Sequence, residues 1–425
     1  MDNVLDIVVV GGGMAGLAFA AALKDAPVSI LIVDRQAQPA PEQWPGCFDP
    51  RVSALSVSSE NLLQNVGAWD LMESQRFCPY QHMDVWDGDG TGNVQFDTED
   101  LATDHLGHIV ENRVTQWALS QRVLQQANVS FVESSLQSLR PHINGWLVSL
   151  ANGDSYRPAL VVGADGGRSL VRQQAGFHVR AWPYHHSAIV TTVKTEKSHQ
   201  HTARQRFMAT GPLAFLPLCE KPYDQWRSDT GHYSSIVWSL DSDAADAVMG
   251  LNDSEFKLQL GRAIELRLGE IMETDKRYSF PLVQQHASHY IQPGLALIGD
   301  AAHTIHPLAG QGINLGFMDA AVLAEEVALS INRGLSAGER MGLRRYERRR
   351  KTHNLTTMGA MEGFKRLFEP LNWWMTSVRN EGMHQFNRHY MAKRKVVSQA
   401  MGLEGDLPNI ARTATAKKMD EKTAG

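Results

Sequence analysis

Three glycines near the amino terminus have the spacing of a phosphate-binding turn. Gly11, Gly13 and Gly16 form a GxGxxG pattern directly after the apolar run 4–10 and directly before an alanine-rich segment. In such a turn the first glycine permits the bend, the second admits a pyrophosphate, and the third lets helix and strand pack closely. Asp34 ends the next apolar run, where its carboxylate would bind ribose hydroxyls and disfavour a 2′-phosphate. The pattern predicts a dinucleotide site, with a purely structural turn as the alternative.

A second aspartate lies at a turn further along the chain. Asp165 and Gly166 follow the apolar run 160–162, and Ser169 and Arg172 come shortly after them. An ordinary Asx turn would also explain Asp165, but the residues behind it favour a functional turn.

A third turn favours a flavin over a nicotinamide dinucleotide. Gly299 and Asp300 follow the apolar run 295–298, and a carboxylate there can accept hydrogen bonds from a sugar-alcohol chain. A helix beginning at 312–314 would direct backbone N–H groups at an electron-rich ring edge. Such donors would favour a reduced, anionic flavin.

These turns need a framework of strands and helices to position them. The runs 4–10, 28–33, 160–162 and 295–298 are typical of buried parallel strands. We predict helices at about 14–24, 56–75, 110–127 and 313–332, strands at 80–97, 129–133 and 145–150, an antiparallel sheet over 181–240, and mostly helix over 340–402.

Composition excludes several classes of protein. The chain has 425 residues, 43% of them hydrophobic, with a formal net charge of −5 and a pI of about 6.4. These values argue against a disordered chain and against a general nucleic-acid binder. Cys47, Cys78 and Cys219 are widely spaced and odd in number, which predicts neither a disulfide framework nor a CxxC metal site. We expect a cytoplasmic protein without a secretory leader or a membrane-spanning segment.

The three turns together resemble a known family. GGGMAG, GADGGRS and GDAAHTIHPLAGQGINLG are similar to the motifs of class A flavoprotein monooxygenases, the group typified by p-hydroxybenzoate hydroxylase. HPLAGQGINLGFMDA resembles the signature of the ubiquinone-biosynthesis hydroxylases, and the likeness extends from about 5 to 408. Within that family the chain looks most similar to the VisC-type 2-octaprenylphenol hydroxylases, which act at ring carbon 5. The hydroxylase of the later demethoxyquinol step is a close second.

The resemblance implies a fold and a domain division. It implies an α/β fold in which a Rossmann-like FAD-binding domain is interleaved with a smaller β-sheet substrate domain and followed by C-terminal helices. We predict an FAD-binding domain of 1–75, 100–180 and 281–340, a substrate domain of 76–99 and 181–280, a helical region of 341–405 and a flexible tail of 406–425.

The resemblance also implies which residues hold FAD. One departure is Gly167-Arg168, where relatives commonly carry Ala-Asn, and it leaves the contact with the nicotinamide donor open. The implied cofactor-binding residues are Gly11, Gly13, Met14, Ala15, Gly16, Asp34, Arg35, Arg51, Asp165, Gly166, Gly299, Asp300, Pro307, Gly310, Gly312, Ile313 and Asn314.

The implied chemistry uses FAD, with NAD(P)H as electron donor and O2 as co-substrate. An electron-rich phenol would attack the distal oxygen of a flavin hydroperoxide, while the protein orients the ring and excludes water. We assign no catalytic side chain and no metal ligand. His303 and His306 lack an evident third ligand, and Tyr184-His185-His186 is more typical of a polar strand or turn than of a catalytic base.

The implied partners follow from that chemistry. The substrate would be a hydrophobic prenylated phenol, with peripheral membrane contact, a ubiquinone-biosynthesis complex and a homo-oligomer as further expectations, and no nucleic acid. The apolar positions of 361–378 have helical spacing, which indicates packing on the FAD domain or, alternatively, a prenyl channel or membrane-facing surface. The basic run 344–351 indicates a solvated helix face, with anionic lipid or NADPH phosphate binding as alternatives.

Two other functions stay open at this stage. One is hydroxylation of a small soluble aromatic compound or secondary metabolite by the same chemistry. The other is a non-catalytic, flavin-binding subunit that holds a biosynthetic assembly together.

Overall fold

A computed structural model describes most of the chain, and the fold below is built from that part. The described residues are 5–36, 39–88, 90–100, 103–143, 145–222, 225, 231–304, 312–368 and 373–412.

The strands within these ranges are, in chain order, β1 (Ile7–Val10), β2 (Ile30–Asp34), β3 (Val52–Leu55), β4 (Cys78–Tyr80), β5 (His82–Asp87), β6 (Asn93–Asp97), β7 (Gly107–Glu111), β8 (Val129–Glu133), β9 (Leu136–His142), β10 (Gly145–Leu150), β11 (Ser155–Tyr156), β12 (Leu160–Gly163), β13 (Val179–Thr195), β14 (Thr202–Met208), β15 (Gly211–Leu218), β16 (Tyr233–Asp241), β17 (Ile271–Thr274), β18 (Tyr278–Ala287), β19 (Ile291–Gln292), β20 (Leu295–Leu297) and β21 (His303–Thr304).

The helices within the same ranges are α1 (Met14–Ala22), α2 (Val57–Asn65), α3 (Trp69–Glu73), α4 (Asn112–Leu124), α5 (Leu170–Gln174), α6 (Ser242–Met249), α7 (Asp253–Ala263), α8 (Gly312–Asn332), α9 (Arg340–Leu367), α10 (Trp373–Arg388) and α11 (Tyr390–Ala400).

A six-stranded sheet in the order β19-β20-β12-β1-β2-β8 forms the Rossmann-like half. Its inner strands are parallel, and Val10 is in register with both Val33 and Gly163. These strands are continuous apolar runs because helices cover both faces of a parallel sheet. Strand order reverses direction at β1, which is where such sheets open a crevice for a ligand.

A nine-stranded sheet forms the second half of the molecule. Its order is β21-β18-β13-β16-β15-β14-β5-β6, with β17 also paired to β13. The strands are antiparallel except for the parallel pair β14 and β5. On one face pack α6, through Val248, and α7, through Phe256. The opposite face, which carries Ala214, Leu216 and Val237, packs against the strand pair β3–β7 of the first half.

The C-terminal helices span both halves. The first part of α9 packs along α8. The end of α9 and α10 cover β5, β6 and β14, the last three strands at one side of the nine-stranded sheet, through Phe368 and Met383. Part of the predicted apolar face therefore packs on the nine-stranded sheet. Within the described residues, no helix has the length and apolar character needed to cross a bilayer.

The predicted α/β fold class is confirmed, with local differences. The helix predicted over 56–75 is two helices, because Gly67 adopts a left-handed φ of 76° between them. Two further helices, α6 and α7, were not predicted from the sequence. They lie within the segment assigned to the substrate domain. The division into domains stays a prediction, and β18 crosses its boundary at residue 281.

Candidate cofactor site

The three predicted turns meet at one edge of the six-stranded sheet. Strands β1, β2, β12 and β20 are parallel, so their carboxyl ends lie side by side. The glycine turn follows β1, Asp34 ends β2, Asp165 follows β12, and Asp300 follows β20. Motifs separated by up to nearly 300 residues in sequence thus surround one crevice.

The glycine turn leaves room that a side chain would fill. Gly11 has a φ of 111°, and a Cβ there would overlap the carbonyl of Ala164. A Cβ on Gly16 would overlap the backbone of the same turn, whereas a Cβ on Gly13 would meet no protein atom within 4 Å. Gly13 caps α1 without any side-chain hydrogen bond, so the first N–H groups of that helix are available to an anion.

Asp34 stands over this turn at the end of β2. Its Oδ2 accepts a hydrogen bond from the backbone N–H of Gly12 at 2.5 Å. Gln116, a residue without a recognisable sequence motif, donates from Nε2 to the carbonyl of Gly12 at 3.1 Å. The carboxylate is partly exposed, which leaves it accessible to ribose hydroxyls.

Asp165 lies shortly before the short helix α5, whose N-cap is Ser169, and its carboxylate contacts the start of that helix. Its Oδ2 accepts hydrogen bonds from the N–H groups of Leu170 at 2.7 Å and Val171 at 3.1 Å. These bonds span five and six residues, so they are not the Asx turn considered above, in which a side chain bonds to the backbone two residues further on. Its Oδ1 is buried and, among the described residues, has no hydrogen-bond partner, so it can still accept a hydrogen bond from a ligand.

Arg172 ties two of the turns together. The side chain is buried and donates from Nη1 to the carbonyl of Ala301 at 2.9 Å and from Nη2 to that of Gly167 at 2.6 Å. Gln285, another residue without a motif, also donates to the Gly167 carbonyl and to the hydroxyl of Thr304. These bonds hold the turn after β12 against the turn after β20.

Asp300 lines the crevice itself. Solvent can reach the side chain, yet protein atoms surround it on most sides, as expected in a deep concave site. This burial raises the pKa of Asp300, and the charges of His303, Arg51 and Arg172 partly offset the rise. The carboxyl group is therefore suited to hydrogen bonding with neutral hydroxyls.

A buried polar network supports the Gly299–Asp300 turn from behind. Asp319 of α8 accepts hydrogen bonds from the N–H of Gly299 at 3.1 Å, His303 Nε2 at 2.5 Å and Arg350 Nε at 2.8 Å. Burial alone would raise the pKa of Asp319, but the neighbouring His303 and Arg350 lower it below its ordinary value. Asn354 continues the network by donating to Asp319 at 3.1 Å. His303, considered above as a metal ligand, is thus engaged by a carboxylate.

The start of α8 is clamped in place by Asn314. Its Oδ1 accepts hydrogen bonds from the Ser56 N–H at 3.0 Å and the Ser59 hydroxyl at 2.8 Å, and its Nδ2 donates to the Ala54 carbonyl at 2.8 Å. The Asn314 side chain therefore positions α8, while the backbone at Gly312 and Ile313 begins the helix.

The remaining predicted residues have varied placements. Met14 and Ala15 open α1, and Ala15 packs where Gly299 approaches α8. Arg35 and Arg51 are exposed beside the crevice strands. His306, Pro307 and Gly310 lie outside the described residues.

The basic run of α9 differs from the solvated face that its sequence predicts. Arg345 pairs with Glu326 at 2.6 Å, Arg349 with Glu325 at 2.7 Å, and Arg350 with Asp319. Arg344 and Arg348 alone of the arginines in this run are exposed. Three of the six basic residues of the run therefore pair with acidic residues of α8.

Comparisons with known proteins agree with this geometry. The family model described as FAD binding domain matches residues 4–358. The p-nitrophenol 4-monooxygenase PnpA from Pseudomonas putida DLL-E4 has the same fold, with a TM-score of 0.74 at 19% identity over 96% of this chain and 100% of that one. The matched family, the fold and the site define the protein as an FAD-dependent monooxygenase, a class that uses NAD(P)H and O2.

Two relatives in sequence narrow the class. The 3-demethoxyubiquinol 3-hydroxylase of Escherichia coli (strain K12) is 35% identical over 403 residues, covering 94% of this chain and 98% of the relative. The ubiquinone biosynthesis monooxygenase COQ6 of Xenopus tropicalis is 33% identical over 434 residues, covering 93% of both chains. The chain belongs to the ubiquinone-biosynthesis hydroxylase family, which confirms the resemblance found in its motifs.

Proposed function

We propose that this protein hydroxylates the ring of a polyprenylated phenol in ubiquinone biosynthesis, at carbon 5 of a 2-polyprenylphenol. The observation that supports this most is the match along 94% of the chain to a hydroxylase of a ubiquinone precursor. A second candidate is the later demethoxyquinol step, which the name of that relative favours.

We propose that the crevice holds FAD in an extended arrangement. Bound FAD supplies the redox chemistry and the activation of O2. The open space at Gly13 and the uncapped start of α1 fit a pyrophosphate, Asp34 fits the ribose, and Asp300 fits the ribityl chain. The backbone at Gly312 and Ile313 would face the isoalloxazine ring.

The layer between the nine-stranded sheet and the FAD-binding half supports an apolar substrate. Ala214, Leu216 and Val237 pack there with Phe48 and Ile109 in one apolar cluster. Such a layer excludes water from the reacting ring and leaves selection to shape and apolar contact.

The C-terminal helices support a path for the prenyl tail. Phe368 stacks on Phe207 with ring centroids 4.3 Å apart, and Met361 and Met383 pack beside them. Methionine and phenylalanine layers adapt readily to long apolar ligands. We propose that the tail follows this layer.

Exposed apolar residues on α10 and α11 support peripheral membrane contact. Val378 is 65% exposed and Met391 75% exposed, and Arg394 and Lys395 lie on the same short helix as Met391. An amphipathic, basic helix of this kind binds the surface of anionic bilayers. Flotation with anionic vesicles is expected to capture the protein, and Met391→Glu is expected to weaken that capture.

One experiment separates the candidate functions. The flavin-loaded protein is supplied with NAD(P)H and, in parallel, a short-chain 2-prenylphenol, a demethoxyquinol with the same tail, and a tail-free phenol. Hydroxylation at carbon 5 of the prenylphenol supports the first proposal, and turnover of the demethoxyquinol alone supports the second. Preferred turnover of the tail-free phenol, or failure to retain FAD, would overturn both. Retention of FAD without turnover of any of the three compounds would favour the non-catalytic, flavin-binding subunit.

A further inference from the structure

Two buried cysteines and a histidine converge at a place remote in sequence from the cofactor turns. Cys78 begins β4, His201 directly precedes β14, and Cys219 directly follows β15. One potential ligand atom from each lies within 4.8 Å of the other two. Sequence spacing could not reveal this cluster, because its members are separated by at least 18 residues (219 − 201) and meet only through sheet pairing.

The distances suit a tetrahedral zinc site. Cys78 Sγ lies 3.6 Å from His201 Nδ1. With Zn–S of about 2.3 Å and Zn–N of about 2.0–2.1 Å, tetrahedral angles give an S···N separation of about 3.5 Å. His201 Nδ1 also lies 3.2 Å from the Pro79 carbonyl oxygen, and it gives up this contact when it binds the ion.

The surroundings favour a partly enclosed site with three protein ligands. The side chains of Cys78 and Cys219 are 0% and 1% exposed, while His201 is partly exposed and leaves a route for the ion and for a fourth ligand from solvent. The backbone of His201 is held by a hydrogen bond from the Gln81 N–H to its carbonyl at 2.8 Å. This bond holds the His201 backbone beside the first residues of β5.

We propose that Cys78, His201 and Cys219 bind one Zn²⁺ ion. Two sulfur ligands and one imidazole are a donor set that selects zinc over the hard cations Mg²⁺ and Ca²⁺. Cys78 belongs to the small sheet β3-β7-β4, whereas His201 and Cys219 flank strands of the nine-stranded sheet. The ion cross-links these two sheets and leaves the flavin chemistry unchanged.

A second group of potential ligands in the described residues serves as an internal comparison. Glu60, His105 and His108 also offer three ligand atoms in reach of one another. Glu60 Oε2, however, already accepts from His105 Nε2 at 2.7 Å and lies 3.3 Å from His108 Nδ1. This carboxylate–imidazole set lacks sulfur, so it can be distinguished spectroscopically.

The test uses the flavin-loaded protein with its cysteine thiols reduced and with bound metal removed by a chelator. Titration with Co²⁺ should give one equivalent of a tetrahedral, sulfur-ligated ion, read in the ligand-field bands at longer wavelength than flavin absorption, and Zn²⁺ should displace it. Zn²⁺ should also raise the temperature of unfolding. Absence of a sulfur-ligated signal in the unaltered protein would overturn the proposal.

Matched variants identify the ligands. We expect Cys78→Ser, Cys219→Ser and His201→Gln to weaken Co²⁺ binding by at least roughly tenfold to a hundredfold, the loss known even for outer-shell residues of zinc sites. Cys47→Ser, at the exposed cysteine, and His105→Gln should bind as the parent does. Loss of binding in either control, or its retention in His201→Gln, would contradict the assignment. Flavin content verifies folding of each variant, and the partly exposed His201 keeps the test open if a buried serine prevents folding.

Discussion

At the residue scale, Gly13 gives direct access to the proposed pyrophosphate position. A Cβ there meets no protein atom within 4 Å, so Gly13→Ala should leave the packing of the protein unchanged. We expect FAD binding to weaken by roughly tenfold or more, because the methyl group occupies the space of the ligand. Flavin absorbance after dialysis measures the effect.

The control for this substitution is Gly359→Ala in α9. A Cβ on Gly359 also meets no protein atom, and the residue lies in a helix away from the crevice. Equal flavin retention by the two variants would contradict the proposed position of the pyrophosphate.

Arg172 tests the clamp between the two aspartate turns. Arg172→Met removes the donors to the Ala301 and Gly167 carbonyls. Gln285 still donates to the Gly167 carbonyl, so the Ala301 carbonyl is the group that loses its bond. We expect the free energy of unfolding to fall by about 2–4 kcal/mol and FAD affinity to fall with it. Urea unfolding measures the first effect, with the exposed Arg168→Met as control; a matching loss in that control would refute the clamp.

His286 predicts a pH dependence of stability. Burial lowers the pKa of His286 to about 4, and the Tyr290 hydroxyl lies 3.0 Å from its Nε2, consistent with donation to a neutral ring. An unfolded histidine titrates near 6.5, so between about 6.5 and 4 the unfolded chain binds the extra proton. Neutral His286 therefore adds on the order of 2–3 kcal/mol to the free energy of unfolding above pH 6.5, and this stabilisation is lost as the pH falls to about 4.

This dependence is measured by urea unfolding across that pH range. His286→Gln should show a shallower fall of unfolding free energy than the parent, whereas His142→Gln, at an exposed position, should follow the parent. Parallel curves for His286→Gln and the parent would contradict the assignment.

At the scale of elements, α10 is attached to the nine-stranded sheet by a buried ion pair. Arg379 lies 2.5 Å from Asp87, with both side chains at most 3% exposed, and the Gly92 N–H donates to Asn380 at 3.1 Å. Arg379→Met would leave the Asp87 carboxylate buried without this charge, at a cost of about 3–5 kcal/mol. We expect faster proteolysis within α10.

Limited proteolysis with mass analysis of the fragments measures this change. Arg388→Met removes a charge from the exposed end of the same helix and should leave the cleavage rate unaltered. Unchanged cleavage in Arg379→Met would show that the pair does not hold α10 in place.

Some strands and helices can be predicted from short stretches of sequence, but the contacts between helices cannot. The strand runs and the glycine turn are encoded within short windows, so β1, α1 and β2 are predictable from spacing alone. The role of Arg350 is not, because its partner Asp319 lies on another helix. A charged residue inside the apolar run of α8 is the one local signal that a buried network exists there.

At the scale of the whole molecule, long-range pairing determines the rest. The family motifs predict an α/β flavoprotein because each of them follows a strand of the parallel sheet. Two contacts depend on a strand order that no local pattern contains. One is the packing of α9 and α10 on β5, β6 and β14, and the other is the approach of Cys78 to Cys219. Consequently the turns that carry the proposed cofactor residues are more predictable from sequence than the residues that support them.

We propose above all that the FAD-loaded protein inserts an oxygen atom from O2 into the ring of a prenylated phenol. The most direct test is turnover of a 2-prenylphenol by the FAD-loaded protein with NAD(P)H under ¹⁸O2, followed by mass and positional analysis of the product. We predict one ¹⁸O atom in a new hydroxyl at ring carbon 5. Oxygen derived from water, or NAD(P)H oxidation without a hydroxylated prenylphenol, would contradict the account.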